Sequence, residues 1–206
     1  MRTIKGRMKV GHWVLSREDY EAVCQVLEAG KLVVYPTDTV YGLGCDPFEV
    51  PAVERVFEVK RRPSEQPIAL ALTTPDQIPK YAHVTPAAQR IIAKHLPGPV
   101  TILLRATKDA PLPLVSSTGL IGIRVPDHSV AIAIAKAFGP ITTTSANVHG
   151  GSSPATCEEA RAQLGDTVDL YIDCGPTPLG KESTIVDASG ESPKVIREGA
   201  LRREDL

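Results

Sequence analysis

The stretch KLVVYPTDTVYGLGCDP, residues 31–47, passes from an apolar run into hydroxyl groups, one carboxylate and two glycines. Residues 32–35, Leu-Val-Val-Tyr, are bulky or β-branched, which predicts a strand that is buried on both faces of a sheet. Pro36 has no N–H to donate to a neighbouring strand, so we expect the strand to end there. The Thr-Asp-Thr of residues 37–39 then follows a strand end, where open α/β sheets usually bind ligands.

Two glycines follow this polar segment and allow the backbone to turn or to approach a ligand closely. Gly42 and Gly44 have no Cβ, so either function is sterically possible. A Thr-Asp-Thr segment by itself is also compatible with a capped turn after a core strand. The segment alone therefore leaves a ligand site and a simple turn open.

Composition and charge narrow the classes of protein. The 206 residues carry a formal net charge of -1, which argues against a protein that coats nucleic acid through its overall field. No apolar run is long enough to span a bilayer, and residues 1–13 lack the apolar core of a signal peptide. No linker, repeat or low-complexity tract divides the chain. We therefore expect a cytoplasmic protein with one domain over residues 1–206.

The four cysteines are widely spaced and form no C-x-x-C pair, so the sequence indicates neither a zinc site nor a disulfide framework. We interpret them as buried or incidental thiols. They are Cys24, Cys45, Cys157 and Cys174.

Capping residues and apolar spacing predict helices between the strands. The expected helices are residues 17–29 after a Ser16 cap, 51–62, 85–95 opened by Thr85, 127–138 after an Asp127 cap, and 156–165 with a capping box of Thr156 and Glu159. The expected strands are residues 68–72, 100–104, 120–125, 168–172, 183–188 and 195–199. Residues 106–119 are polar and broken by prolines, which predicts a mobile surface loop. The stretch ITTTSAN, residues 141–147, is too polar for a typical core strand.

Several predicted strands end in hydroxyl groups or in a cation, and three consecutive cations end the second helix. Residues 60–62, Lys-Arg-Arg, could simply complement the helix dipole, which is worth up to about 1 kcal/mol. Arg124 is costly to bury without a partner, so it either faces solvent or meets an anion. A Gly-Gly-Ser-Ser segment at residues 150–153 is a weak signal for phosphate binding. Polar strand ends and cations together predict a shared pocket that suits a nucleoside triphosphate.

A series of motifs runs in order from about residue 20 to residue 200: YPTDTVYGLGCDP, KRRPSEQPIALAL, PGPVTILL, IGIRVPDH, TTSAN with GGSSPAT, STIVDA and VIREGAL. In these motifs the chain resembles the threonylcarbamoyl-adenylate synthase family, also called the YrdC-like family. Its most specific combination is the K-x-R of Lys60 and Arg62 with the S-x-N of Ser145 and Asn147. Arg61 and His149 replace smaller residues that are common in the family, but neither position carries a motif residue.

The resemblance implies a single-domain α/β fold with a twisted mixed parallel and antiparallel sheet, flanking helices and a concave basic cavity. It implies that L-threonine, bicarbonate and ATP, with magnesium, give threonylcarbamoyl-AMP and pyrophosphate. The product serves the threonylcarbamoyladenosine modification of tRNA next to the anticodon. By resemblance we also expect a possible tRNA contact, transfer of the product to a tRNA threonylcarbamoyl-transferase complex, no membrane partner, and the short form without an extra C-terminal domain.

The resemblance also implies roles for individual residues. The nucleotide would be held by Lys60, Arg62, Ser145, Asn147, Ser153 and Arg197, of which the first four are the expected catalytic set. Threonine and its carbamate would be held by Thr37, Thr39, Arg124, Thr143 and Ser183. We expect Lys60→Ala and Arg62→Ala to weaken ATP binding and to leave the fold intact, because surface cations contribute little to stability. For Arg124, a structural carboxylate such as Asp127 is the competing partner.

Two other functions remain compatible with the sequence. One is an RNA-binding module that uses the same cationic cavity without turnover, although no basic stripe with aromatic residues is present. The other is a related carbamoyl-adenylate-forming enzyme with a different acid substrate.

Overall fold

A computed structural model of the protein describes residues 2–63 and 68–206. The Ser-Glu-Gln-Pro segment beside the predicted cation cluster, residues 64–67, lies outside the described residues.

Strands and helices alternate along most of the chain. The strands are β1 (Arg2–Lys5), β2 (Arg7–Lys9), β3 (His12–Val14), β4 (Val33–Tyr35), β5 (Gly42–Gly44), β6 (Ala69–Ala71), β7 (Ala82–His83), β8 (Val100–Ala106), β9 (Leu120–Arg124), β10 (Ile141–Ser145), β11 (Leu170–Asp173), β12 (Thr184–Asp187) and β13 (Lys194–Arg197). The helices are α1 (Arg17–Glu28), α2 (Val50–Lys60), α3 (Ile78–Tyr81), α4 (Pro86–His95), α5 (Ser129–Phe138) and α6 (Cys157–Leu164).

Most of the strands form one mixed sheet in the order β1-β11-β4-β5-β10-β6-β9-β8-β12-β13, and β7 pairs with β8. The β1-β11, β11-β4, β6-β9 and β8-β12 pairs are parallel, whereas the other pairs are antiparallel. Strands β2 and β3 form a separate antiparallel hairpin. The α/β architecture with a mixed sheet and flanking helices is therefore confirmed.

Helices cover the two faces of the sheet unequally, and this creates the site. One core cluster joins the sheet to α2, α4 and α6. A second cluster joins α1 and α5 to β1, β4, β6, β10 and β11. Within the described residues, β8, β9 and β12 contribute no buried side chain to this second cluster. Their face on the α1/α5 side is consequently left uncovered.

Side chains alternate between the two faces along each strand, and those on the uncovered face are small in the middle of the sheet. Ala69, Thr101, Gly122 and Thr143 line a cavity there, whereas their neighbours Leu70, Ile102 and Ile123 point into the opposite core. Gly122 has a steric role: a Cβ at this position would lie 3.3 Å from both the Ala69 Cβ and the Leu103 Cδ2. Small residues in the middle of the sheet therefore keep the cavity open.

The central position of β10 contradicts the prediction that ITTTSAN is too polar for a core strand. This strand lies between β5 and β6, and Thr142 is completely buried. The burial is tolerated because the Thr142 hydroxyl accepts a hydrogen bond from the Cys45 N–H at 2.9 Å. The Tyr35 hydroxyl donates to the Thr142 carbonyl at 3.1 Å.

The glycines of β5 serve packing within the sheet instead of a turn. Gly42 and Gly44 pair with β4 and leave room for the Tyr35 ring, since a Cβ on Gly44 would lie 2.8 Å from the ring's Cε1. Gly42 also lines the cavity. The predicted turn is therefore wrong, because both glycines lie within a strand, whereas close approach of this backbone to a ligand stays a prediction.

Two further local predictions need correction. The cap of α5 is His128, whose Nδ1 accepts from the Val130 N–H at 3.3 Å, and not Asp127. The segment 106–119 is anchored by a short 3-10 turn and by the completely buried Leu114. The strands β1 to β3 were not predicted. The caps at Ser16, Thr85 and Thr156 are confirmed.

Candidate functional site

A cavity with a volume of about 110 Å³ lies on the uncovered face of the sheet. Residues from several segments that are distant in sequence contribute to its wall. The predicted site residues among them are Thr37, Arg62, Arg124, Thr143, Ser145, Ser183 and Arg197.

Two arginines and a glutamate form one side of the cavity. Arg197 Nη1 lies 2.5 Å from the Glu182 carboxylate, and Arg197 Nη2 donates to the Ser183 carbonyl at 2.9 Å. Arg62 Nη1 approaches the Thr144 hydroxyl at 3.5 Å. Burial and the nearby Arg197 lower the pKa of Arg62, which Glu182 partly restores. These groups are therefore close enough to act on one anion.

Lys60 is buried behind this side and does not line the cavity. Its Nζ donates to the Asn147 carbonyl at 2.8 Å and makes a short hydrogen bond to the Ser145 carbonyl. Burial, followed by repulsion from Arg62, lowers its pKa to about 7. The prediction that Lys60 is a surface cation is therefore wrong, because the end of α2 packs against the segment after β10.

Asn147 is also buried and acts within the protein. Its Nδ2 donates to the Val148 carbonyl at 2.9 Å and to the Gly151 carbonyl at 2.8 Å, which closes the loop that follows β10. Its Oδ1 has no hydrogen-bond partner among the described residues. The S-x-N residues are thus divided: Ser145 lines the cavity, whereas Asn147 shapes the loop beside it.

Ser153 at the end of that loop reaches the cavity indirectly. Its hydroxyl donates a short hydrogen bond to Glu182, the carboxylate that also pairs with Arg197. The Gly-Ser segment and β13 therefore meet at one acidic side chain.

Arg124 and Asp38 form a buried ion pair on the other side of the cavity. Arg124 Nη2 donates to Asp38 Oδ1 at 2.6 Å, and both side chains are less than a tenth exposed. The same Oδ1 accepts from the Asp127 backbone N–H at 3.2 Å. Asp38 Oδ2 and Arg124 Nε have no partner within the described part of the chain. Of the two alternatives for Arg124, exposure to solvent or contact with an anion, the structure shows contact with an anion. The carboxylate that pairs with Arg124 is that of Asp38 and not that of Asp127.

The threonines after β4 hold the wall beside this pair. The Thr37 hydroxyl donates to the Val40 carbonyl at 2.6 Å and accepts from the Thr39 N–H at 3.2 Å. Thr39 is completely buried and lies behind Thr37, outside the cavity lining. Thr37 and Thr143 therefore face the cavity, whereas Thr39 positions the turn.

The backbone at Ser183 is held tightly from behind. The Thr184 hydroxyl accepts from the Gly199 and Leu201 N–H groups, at 2.9 and 3.1 Å, and donates to the Leu201 carbonyl. A Cβ on Gly199 would lie 2.2 Å from the Glu182 carbonyl, so only glycine fits. The Ser183 hydroxyl lies 2.9 Å from that of Thr101. This hydroxyl pair forms part of the cavity wall.

Sequence reasoning missed three residues that contribute to the site: Asp38, Thr101 and Glu182. Asp38 lies within the quoted Thr-Asp-Thr segment, so its position after a strand end was a usable signal. Thr101 and Glu182 have no comparable local signal, because their place at the cavity depends on strand order.

The described residues contain no group of three or more histidine, cysteine, aspartate or glutamate side chains that could hold a metal ion. Among the described residues that line the cavity, Glu182 is the one with a carboxylate. All four cysteines are free and three of them are buried, which agrees with their interpretation as buried or incidental thiols.

In the described part of the chain, no helix has the length and apolar character required to cross a membrane.

Comparison with known proteins gives consistent matches along the chain. The model of the Sua5/YciO/YrdC family, which carries the description "telomere recombination", matches residues 25–199. A putative threonylcarbamoyl-AMP synthase of Methanocaldococcus jannaschii is 36% identical over 196 residues, which cover 93% of each chain.

Two solved structures share the fold. Pyrococcus abyssi Sua5 complexed with L-threonine superposes with a TM-score of 0.91 and 29% identity, over 100% of this chain and 59% of that one. E. coli YciO superposes with a TM-score of 0.87 and 28% identity, over 98% of this chain and 97% of that one. Because the family model spans more than half of the sequence and a relative above 30% identity is covered almost completely, the chain belongs to the Sua5/YciO/YrdC family.

Proposed function

We propose that this protein is an L-threonylcarbamoyladenylate synthase, which makes threonylcarbamoyl-AMP and pyrophosphate from L-threonine, bicarbonate and ATP. The observation that carries the proposal is one cavity with two polar sides. Arg62 and Arg197 form one side, where both lie near Glu182, and Arg124 with its ion-pair partner Asp38 forms the other. The names of the relatives and the threonine complex of the Pyrococcus abyssi protein support the same activity.

The two sides suit the two substrates. Arg62, Arg197 and Ser145 offer donors to a triphosphate, because arginine binds phosphate oxygens in a bidentate manner. Arg124 suits the carboxylate of threonine, and its unpartnered Nε shows that Asp38 does not use its whole guanidinium. The cavity volume of about 110 Å³ is small compared with the roughly 300–1,000 Å³ of a typical ligand pocket. We infer that threonine and the carbamate occupy the cavity and that ATP extends beyond it.

The reaction requires two bond-forming steps, both of which depend on positioning. The threonine amine attacks the bicarbonate carbon, and loss of water gives a carbamate. A carbamate oxygen then attacks the α-phosphorus, and the bond from this phosphorus to the bridging oxygen breaks as pyrophosphate leaves with the electron pair. Arg62 and Arg197 would neutralise the charge on the leaving pyrophosphate, which is an electrostatic contribution. Holding both reactants in one cavity supplies proximity.

Lys60 and Asn147 support this site from behind. Lys60 holds the carbonyls on either side of Ala146, and Asn147 closes the loop that leads to Ser153. We therefore assign them positioning roles, with Ser145 and Ser153 nearer to the nucleotide. Thr39 has the same kind of role behind Thr37.

Magnesium fits the donor set only as an ion that ATP brings. A magnesium ion usually keeps several waters and takes one or two carboxylates together with substrate phosphates. Glu182 is the one carboxylate that the described residues contribute to the cavity wall, so these residues would supply few ligands. When bound, magnesium would neutralise phosphate charge and leave the positioning to the side chains.

We also infer that the product passes to a tRNA threonylcarbamoyl-transferase complex and that tRNA can contact this protein. A mixed phosphoric-carbamic anhydride hydrolyses readily, so direct transfer would protect it. ATP and tRNA are abundant in the cytoplasm, where we expect the reaction.

Pyrophosphate release from the purified protein tests the proposal. With ATP and magnesium present, release should require L-threonine and bicarbonate together, because the carbamate is the nucleophile. L-Serine in place of L-threonine is the matched control, since it lacks only the methyl group. Equal release with serine, or release without bicarbonate, would show that another acid is the substrate. RNA binding without any pyrophosphate release would favour a binding module instead.

A further inference from the structure

Glu182 has contacts that an ordinary surface ion pair does not explain. Its two carboxylate oxygens engage Arg197 and Ser153, which are both assigned above to the nucleotide. Its side chain is 32% exposed and lines the cavity. Both groups expected to bind phosphate are thus already occupied by an anion of the protein.

The backbone that carries this carboxylate is fixed. The Glu182 carbonyl accepts from the Ala200 N–H at 2.7 Å, and Gly199 packs against it so closely that no Cβ would fit. The Thr184 hydroxyl ties the same segments together. Movement at this position is therefore restricted to the side chain, which can turn about its own bonds.

A carboxylate beside a triphosphate has two opposite effects. Without a metal ion it competes with phosphate for Arg197 and Ser153, and its charge repels the ligand. With magnesium on the triphosphate, the same carboxylate becomes a favourable oxygen ligand. No second carboxylate of the described cavity lining could take this role.

We propose that Glu182 is a magnesium ligand with two alternative pairings. In the empty site it holds Arg197 and Ser153; when magnesium and ATP bind together, it turns to the metal and releases both groups to the phosphates. The site would thereby select ATP that carries magnesium over free ATP. This inference rests on the proposed function, because it requires ATP in the cavity.

Calorimetric titration of ATP into wild type and Glu182→Gln, each with and without magnesium, tests the proposal. Glutamine has the same shape and no charge. Without magnesium, Glu182→Gln should bind ATP roughly three- to thirtyfold more tightly than wild type, because a charged competitor is lost. With magnesium, the variant should bind more weakly than wild type by a similar factor.

Glu198→Gln is the matched control, since Glu198 is exposed, accepts from the Arg203 N–H at 3.3 Å and lies outside the cavity lining. It should leave ATP affinity unchanged under both conditions. Thermal unfolding of the two variants checks that the fold is retained.

The outcomes separate this inference from the proposed function. A reversal in the sign of the Glu182→Gln effect with magnesium supports the metal role. An effect of the same sign in both conditions, or no effect, overturns it and leaves ATP binding by wild type intact. If wild type binds no ATP in either condition, the proposed function itself fails.

Discussion

Replacement of Lys60 by methionine should destabilise the protein. Methionine retains most of the aliphatic volume but removes Nζ, which donates to the Ser145 and Asn147 carbonyls. An unpaired buried acceptor costs about 1–3 kcal/mol, and two of them cost about 2–6 kcal/mol. Relief from burying an amine offsets part of this cost. We expect a net loss of about 2–4 kcal/mol in the free energy of unfolding under mildly alkaline conditions.

The size of this loss should depend on pH, because burial lowers the pKa of Lys60 from 10.5 to about 7. Below pH 7 Lys60 is protonated in the folded and in the unfolded protein, so the folded protein is destabilised by the full free energy of burying a charge. Between the two pKa values the unfolded chain binds more protons, so the stability of wild type rises with pH, by up to about 1.4 kcal/mol per pH unit. A neutral amine can still donate to both carbonyls. The difference between wild type and Lys60→Met should therefore be larger at about pH 9 than at about pH 6.

Urea unfolding of both proteins at these two pH values measures the effect. Arg61→Met is the control, because Arg61 is the adjacent, exposed cation and should change stability by less than about 0.5 kcal/mol. The reasoning is refuted if the loss at Lys60 is the same at both pH values, is larger at the acidic one, or does not exceed that of the control.

Three further predictions concern the other side of the cavity and its supporting loop. Asp38→Asn should lower the free energy of unfolding by about 3–5 kcal/mol in urea titrations, because it leaves Arg124 buried without its counter-charge. Arg124→Lys should weaken threonine binding roughly ten- to a hundredfold in calorimetry with ATP affinity nearly unchanged, and weakened ATP binding alone would place Arg124 on the nucleotide side. Asn147→Ala should speed amide hydrogen exchange around Gly151, whereas Thr156→Ala, which removes only a capping box, should cost about 1 kcal/mol and leave that exchange unchanged.

The sequence by itself determined the features that depend on neighbouring residues. The strand that ends at Pro36 follows from side-chain shape and the missing N–H. The helix caps at Ser16, Thr85 and Thr156 follow from hydroxyl groups that meet backbone N–H groups three residues later. The cap of α5 shows the limit of such signals, because the side chains of Asp127 and His128 are both able to cap a helix. In the structure His128 caps α5, whereas the backbone N–H of Asp127 donates to Asp38.

Only the tertiary structure decided how the site residues divide into those that face the cavity and those that support it. Lys60 reaches the Ser145 carbonyl across 85 positions, and Arg124 reaches Asp38 across 86. Whether these cations face solvent or are buried depends on strand order. This order places β10 at the centre of the sheet and leaves one face of β8, β9 and β12 without a covering helix. Local patterns carry no information about such contacts, because the free energy of a buried charge is set by the partners that distant segments bring to it.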